Sequence, residues 1–309
     1  MEKKAGLVIK STGSRYTVLS DDGITVICRI RGKIRLKGIK STNPVSVGDR
    51  VVFDDDGMGE GAISEIKERK NYIIRKATNL SKQSHIIAAN VDQAVLIVTI
   101  NYPMTSRVFV DRFIAASEAY GIPVTLVFNK TDRYDDEHFN ILEEWRELYE
   151  EIGYQTIAVS AKKQENLDEI ADLLKDKISV LSGHSGVGKS TLINRIEPDL
   201  NLKTAEISAI HQSGKHTTTF AEMHPLSFGG YIIDTPGIRG FGLIHIEKEE
   251  LYHYFKEIFE QAGECRFHNC SHYSEPGCSV KAAVERGDIA YTRYESYLSI
   301  LLDKNEKYR

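Results

Sequence analysis

The chain has 309 residues; at about 150 residues per domain, that length predicts roughly two domains with room for a small third. Hydrophobic residues make up 41% and charged residues 27%, with 23 Gly and 7 Pro, which excludes collagen-like, mucin-like and wholly disordered chains. The longest largely apolar stretch, Ala94 to Ile100, is far short of the ~20 residues that a spanning helix needs. MEKKAGLVIKSTGS has early lysines but no long apolar core, so it does not read as a secretory signal. There are 4 Cys, three of them from Cys265 to Cys278. The expectation is a cytoplasmic protein with no membrane role, whose clustered cysteines serve a metal rather than disulfides.

The net charge of −4 is unevenly spread. Residues 1–75 carry 15 Lys+Arg against 10 Asp+Glu, and the remainder carries 25 against 34. Within the basic part, RIRGKIRLKGIK (Arg29 to Lys40) has six basic residues and no acidic one. Arg29, Arg31, Lys33, Arg35 and Lys37 recur at every second position, so a strand would set all five on one face. Such a row suits a phosphate backbone and makes these five the candidate RNA-binding residues. A solvated strand face is the plainer alternative.

In chain order, the first 75 residues read as all-β. LVIK, YTVL, ITVICRI, RVVF and GAISEI are separated by the turn signals SDDG, SVGD and DDDGMGEG, which predicts a small OB-type β-barrel over 1–75. Lys76 to Asn90 has no clear period and reads as a linker. From Val91 the texture changes to buried-strand runs alternating with amphipathic stretches. VDQAVLIVTI is followed by Val108 to Tyr120, with an apolar stripe through Phe109, Phe113 and Ala116. Then come PVTLVFN, an acidic helical stretch to Glu151, QTIAVSA, a helix through Leu167 and Leu174, ISVLSG, a helix from Lys189 to Arg195, and GYIIDTPG. That alternation predicts an α/β fold with a parallel sheet covered on both faces. The tail from Glu247 reads as helical, interrupted by a Cys/His cluster. Cys28 stands alone and fits a small core residue.

The strongest motif is GHSGVGKS: Gly183, His184, Ser185, Gly186, Val187, Gly188, Lys189 and Ser190. It fits G-x-x-x-x-G-K-[ST] between an apolar strand and a helical run, with the binding set continuing to Thr191. Glycines let backbone N–H groups turn inward around phosphates, and the helix N-terminus adds partial positive charge. Lys189 would reach the outer phosphates and Ser190 would ligate Mg²⁺. Three further motifs end predicted strands. In YIIDTPG, Asp234 serves the magnesium shell, and the Gly237 N–H can meet a γ-phosphate. In NKTD (Asn129, Lys130, Thr131, Asp132), the Asp132 carboxylate can accept guanine N1–H and N2–H₂, donors that adenine does not present together. The Lys130 stem would lie over the base, while Asn129 ties loops together. In SAK (Ser160, Ala161, Lys162), the backbone can donate to guanine O6. The expected nucleotide is GTP.

These motifs resemble those of the translation-factor class of GTPases, but in another order. NKTD and SAK precede the phosphate loop, KHTTT and DTPG, so the chain reads as a circularly permuted GTPase, a rearrangement that neighbouring domain termini permit. The residue after Gly237 is Ile238, where Ras-like enzymes place the water-orienting Gln. Slow unassisted hydrolysis follows. His216 is the candidate replacement, an exposed switch-loop histidine being the alternative. Thr218 is the candidate threonine for magnesium and the γ-phosphate, although Thr217 or Thr219 could serve.

Cys265-x4-Cys270-x-His272-x5-Cys278 gathers three thiols and an imidazole within 14 residues. Soft ligands at this spacing suit one structural, tetrahedral Zn²⁺ with no open position. His268 could take the place of His272. Residues 1–75, 76–246 and 247–309 are then expected to be the barrel, the permuted GTPase domain with its entry linker, and a helical zinc-binding domain.

Together, β module, permuted motifs and Cys/His tail resemble the ribosome small-subunit-dependent GTPase family, RsgA, over almost the whole chain. The resemblance favours His272 as the fourth ligand. It implies slow GTP hydrolysis stimulated by the small ribosomal subunit, a role in late maturation of that subunit, and binding to its rRNA. A monomer is expected. A GTP-gated protein switch without RNA and a P-loop small-molecule kinase are the competing readings, the second disfavoured by NKTD.

Overall fold

The computed structural model describes residues 2–31, 44–76, 84–200, 221–234 and 246–303. Contacts divide the chain into two compact units. One comprises Met1–Ala94, Asp168–Leu181 and Ile193–Ile238, the other Val95–Leu167, Ser182–Leu192 and Arg239–Arg309.

Five strands open the chain: β1 (Glu2–Ser11), β2 (Tyr16–Ser20), β3 (Thr25–Ile30), β4 (Arg50–Asp55) and β5 (Glu60–Ile66). β1 pairs antiparallel with both β2 and β4, β2 with β3, and β4 with β5; parallel pairing of β3 with β5 completes the ring. This is a five-stranded barrel of OB type, and its closure removes the unpaired edges that an open sheet would present. A bulge between Val8 and Lys10 lets β1 bend toward two neighbours. Period-2 alternation sets the faces. Tyr16 and Val18, Val26 and Cys28, and Val51 and Phe53 point into the core with Val8, Val45 and Ile63. Thr25, Ile27 and Arg29 face out.

β6 (Tyr72–Lys76) and β7 (Ser84–Ala89) form an antiparallel ribbon. The linker expected from Lys76 to Asn90 therefore contains a strand. Its backbone is satisfied by β6, and Ala88 bridges Val47, while the Ser46 hydroxyl donates to the Ile86 carbonyl at 3.1 Å. The sequence reading missed it because SHIIAAN is short and carries no alternation of its own.

From Gln93 the expected alternation is present: β8 (Gln93–Val98), α1 (Arg107–Ala119), β9 (Val124–Phe128), α2 (Asp136–Glu151), β10 (Gln155–Ala158), α3 (Leu167–Leu174), β11 (Ile178–Ser182) and α4 (Lys189–Ile196). Two strands follow, β12 (Glu222–Pro225) and β13 (Tyr231–Asp234), then α5 (Lys256–Ala262), α6 (Ser279–Arg286) and α7 (Tyr291–Leu301). In the first unit β11 and β13 are parallel, β12 is antiparallel to β13, and Lys10 of β1 pairs with Glu222 of β12. In the second unit β9 and β10 are parallel. Every residue of β8 and β9 is buried, the signature of strands covered on both faces. No helix among the described residues is long and apolar enough to cross a membrane.

Candidate nucleotide and metal sites

The phosphate-binding candidate begins where β11 ends and stops where α4 begins. Gly183 and Gly188 hold φ of +142° and +96°, and both are packed too closely for a side chain. A Cβ on Gly183 would lie 2.2 Å from the Ile97 carbonyl oxygen, and one on Gly188 would lie 2.4 Å from Asn129 Nδ2. Glycine therefore meets two demands at once, backbone freedom and close approach. Val187 and Ser190 are buried, Ser185, Gly186 and Thr191 are exposed, and the Lys189 ammonium donates to the carbonyls of Gly183 and His184 at 2.7 Å each. The His184 ring stacks on Phe109 of α1 with centroids 3.8 Å apart.

Asn129, buried at the end of β9, knits three segments together. Its Nδ2 donates to the Val187 carbonyl at 2.8 Å, while its Oδ1 accepts from Lys130 N at 2.8 Å and Ala161 N at 3.2 Å. The NKTD, phosphate-loop and SAK segments thus converge on one side chain. Lys130 is left-handed at φ +69°, and its ammonium donates to the carbonyls of Tyr102 and Gly186 at 2.6 and 2.5 Å. Burial, reinforced by nearby Arg133, lowers its pKa below the usual lysine value. Thr131 N donates to the Val159 carbonyl at 3.3 Å. The buried Ser160 hydroxyl donates to Asp132 Oδ1 at 2.8 Å and accepts from Lys163 N at 3.1 Å, orienting the carboxylate. Lys162 is exposed. Tyr134 braces the group, since its hydroxyl donates to the Asn129 carbonyl and accepts from Ile100 N, both at 2.8 Å. Sequence reasoning missed Tyr134 and Tyr102, neither of which lies in a motif.

The backbone places Asp234 at the end of β13. His216, Thr218 and Gly237, and Lys33, Arg35 and Lys37 of the basic row, lie outside the described residues. Of that row, Arg29 and Arg31 are exposed, and Arg31 pairs with Asp54 at 2.8 Å.

In the tail, the ligand atoms of Cys265, Cys270, His272 and Cys278 lie within 4.8 Å of one another. A tetrahedral ion bonded at about 2.3 Å to sulfur and 2.0–2.1 Å to nitrogen requires S–S edges of roughly 3.8 Å and S–N edges of roughly 3.5 Å. Cys265 and Cys278 Sγ are 3.9 Å apart, and His272 Nδ1 lies 3.5 and 3.6 Å from them. The donor set fits. His268 is exposed and outside the cluster. Burial keeps His272 neutral by lowering its pKa, the form that binds metal. The surrounding turn is built around it. The Tyr294 hydroxyl donates to the His272 carbonyl at 2.7 Å and the Tyr297 hydroxyl to that of Ser271 at 2.8 Å. Against the upward push of burial, donors from Ser271 and its neighbours hold the Glu275 carboxyl down at about 2.

A closed OB-type barrel, NKTD and SAK segments preceding the phosphate-loop motif in the chain, and a Cys3His tail define a circularly permuted GTPase. The chain matches the model of the RsgA GTPase over residues 66–244 and that of the RsgA N-terminal domain over residues 5–63. It is 57% identical over 305 residues to proteins named small ribosomal subunit biogenesis GTPase RsgA from Bacteroides fragilis and Phocaeicola vulgatus, with 98% of each chain covered. Two solved structures are similar. YjeQ from Thermotoga maritima has a TM-score of 0.78 at 36% identity, covering 97% of this chain and 98% of that one; YloQ, described as a circularly permuted GTPase, has a TM-score of 0.75 at 33%, covering 97% and 94%. The chain belongs to the RsgA GTPase family, and its activity is GTP hydrolysis.

Proposed function

We propose that this GTPase binds the small ribosomal subunit and assists its late maturation, with slow intrinsic turnover that the subunit stimulates. The observation that carries the nucleotide part is the threefold bridge at Asn129; the subunit part rests on full-length similarity to relatives bearing that name. Gly183 to Thr191 would cradle the phosphates, with Lys189 on the outer ones. Asp132, held by Ser160, would read guanine N1–H and N2–H₂, with Lys130 over the base and Ala161 N near O6. Ser190 and Thr218 would hold Mg²⁺, which neutralises charge developing on the phosphates, and His216 would orient water. Cys265, Cys270, His272 and Cys278 would hold one structural Zn²⁺. Arg29, Arg31, Lys33, Arg35 and Lys37 would meet rRNA phosphates. The working unit would be a cytoplasmic monomer with barrel, GTPase and zinc-binding domains at 1–75, 76–246 and 247–309.

The deciding experiment is GTP turnover with and without purified small subunits: marked acceleration is expected, and an unchanged rate would reject the subunit role. Reversing Arg31, Lys33 and Arg35 to Glu should weaken subunit binding and flatten its salt dependence, by about one unit of log–log slope per lost phosphate contact. An unchanged slope would favour a barrel that recognises protein. Asp132→Asn would present an amide donor to guanine N2–H₂ and leave N1–H poorly matched, so GDP affinity should fall by roughly 100-fold or more. Xanthosine diphosphate, with a C2 carbonyl, should gain relative to GDP. Titration of both nucleotides reads the effect, and a proportional loss of both would remove Asp132 from base reading.

A further inference from the structure

Tyr102 sits in a conformation that an aromatic residue rarely adopts, at φ +61°, where bulky side chains are strained. The loop around it is pinned so that the strain persists. Thr99 and Thr105 exchange hydrogen bonds, the Thr99 hydroxyl donates to the Pro103 carbonyl at 2.5 Å, and Asn101 Oδ1 accepts from Tyr102 N at 2.9 Å. Pro103 lies beside the phosphate loop, at 3.6 Å from where a Cβ on Gly186 would be. Tyr102 is half exposed, at 51%, and the Arg133 guanidinium lies over its ring at 4.4 Å from the centroid. Arg133 directly follows Asp132. The carbonyl of this strained residue also accepts from Lys130 Nζ at 2.6 Å, while Gly186 takes the same ammonium from the phosphate loop.

We propose that Tyr102 is a positioning residue for guanine nucleotides: its ring, clasped by Arg133, fixes the 99–105 loop so that its carbonyl and that of Gly186 hold Lys130 extended as a preformed shelf for the base. This inference rests on the nucleotide reading above. A free lysine loses rotamer freedom when immobilised, and holding the stem beforehand removes that cost from binding. The device acts through Lys130, not on the phosphates.

The test is GDP titration of four single or double variants. Tyr102→Gly keeps the carbonyl, relieves the left-handed backbone and deletes the ring. It is expected to melt no lower than the parent while binding GDP roughly tenfold more weakly. Tyr102→Phe keeps the ring and is expected to restore parental affinity. In a Lys130→Met background, which has no ammonium to hold, adding Tyr102→Gly should change affinity less than twofold. Parental GDP affinity in Tyr102→Gly, or its full loss persisting in the Lys130→Met background, overturns the proposal while leaving the nucleotide site intact. Failure of the parent protein to bind GDP rejects the nucleotide reading itself, so the two failures are distinct.

Discussion

The zinc proposed at Cys265, Cys270, His272 and Cys278 predicts that chelation, or replacing Cys270 with Ser, disorders residues 265–278 and releases α6 from its anchor. Cys278 is the residue that caps α6, and Ser279 ties Cys265 to the Gln261 carbonyl at the end of α5. The cluster therefore adds a tie between the two helices. Structural zinc contributes about 10–16 kcal/mol of apparent binding free energy in small peptides at neutral pH. The loss here will be smaller, because Phe255, Ile258, Val280, Ala283 and Tyr297 already form an apolar base. The sign of the pH dependence follows from the same burial. Burial pushes the Cys270 thiol up to about 12 and raises Cys278, so without a cation both are protonated at neutral pH. Metal uptake must then release protons, and affinity should climb as pH rises and fall as it drops. Thiol-reagent kinetics on Cys265, Cys270 and Cys278, with near-ultraviolet signals from Tyr294 and Tyr297, measure the outcome. Cysteines that react no faster after chelation would show that no metal staples this segment.

The NKTD, SAK and phosphate-loop motifs could be read from the chain because the chemistry proposed for them demands particular residue types at strand ends, and the structure brings all three segments to Asn129. Barrel and parallel strands were legible for local reasons: short strand-like runs between turn signals mark the barrel in 1–75, and continuous apolar runs from Val91 report strands covered on both faces. What escaped depends on encounters between remote segments. Tyr102 and Tyr134 lie outside every motif, and their importance appears only when Lys130 and Asn129 arrive beside them. The ribbon strand Ser84–Ala89 exists because β6 pairs with it. Arginine is seldom fully buried, and nothing local in α7 signals that Arg293 finds its partner 182 residues away.

That arginine supports the second large prediction. Arg293 and Asp111 are each 1% exposed and meet at 2.5 Å, and Arg293 Nε donates to Glu257 at 2.7 Å. Tyr149 adds a hydroxyl donor to Asp111 at 2.8 Å, and the Phe255 ring faces the guanidinium at 4.7 Å. Despite the opposing pull of burial, the two carboxylates hold the arginine firmly in its charged form. One side chain on α7 thus binds α1 and α5 together. Arg293→Met keeps most of the volume but strands a buried carboxylate at Asp111, so it should cost about 3–5 kcal/mol. Denaturant unfolding of the parent and variant reads this directly. The pair itself is worth much less than its rupture, because two charges were desolvated to make it. Asp111→Leu combined with Arg293→Met and Glu257→Gln should therefore recover most of the loss. A single variant within about 1 kcal/mol of the parent would mean that water reaches Asp111 and relieves it. A triple variant no better than the single one would shift the cost from unpaired charge to lost packing against Phe255 and Tyr149.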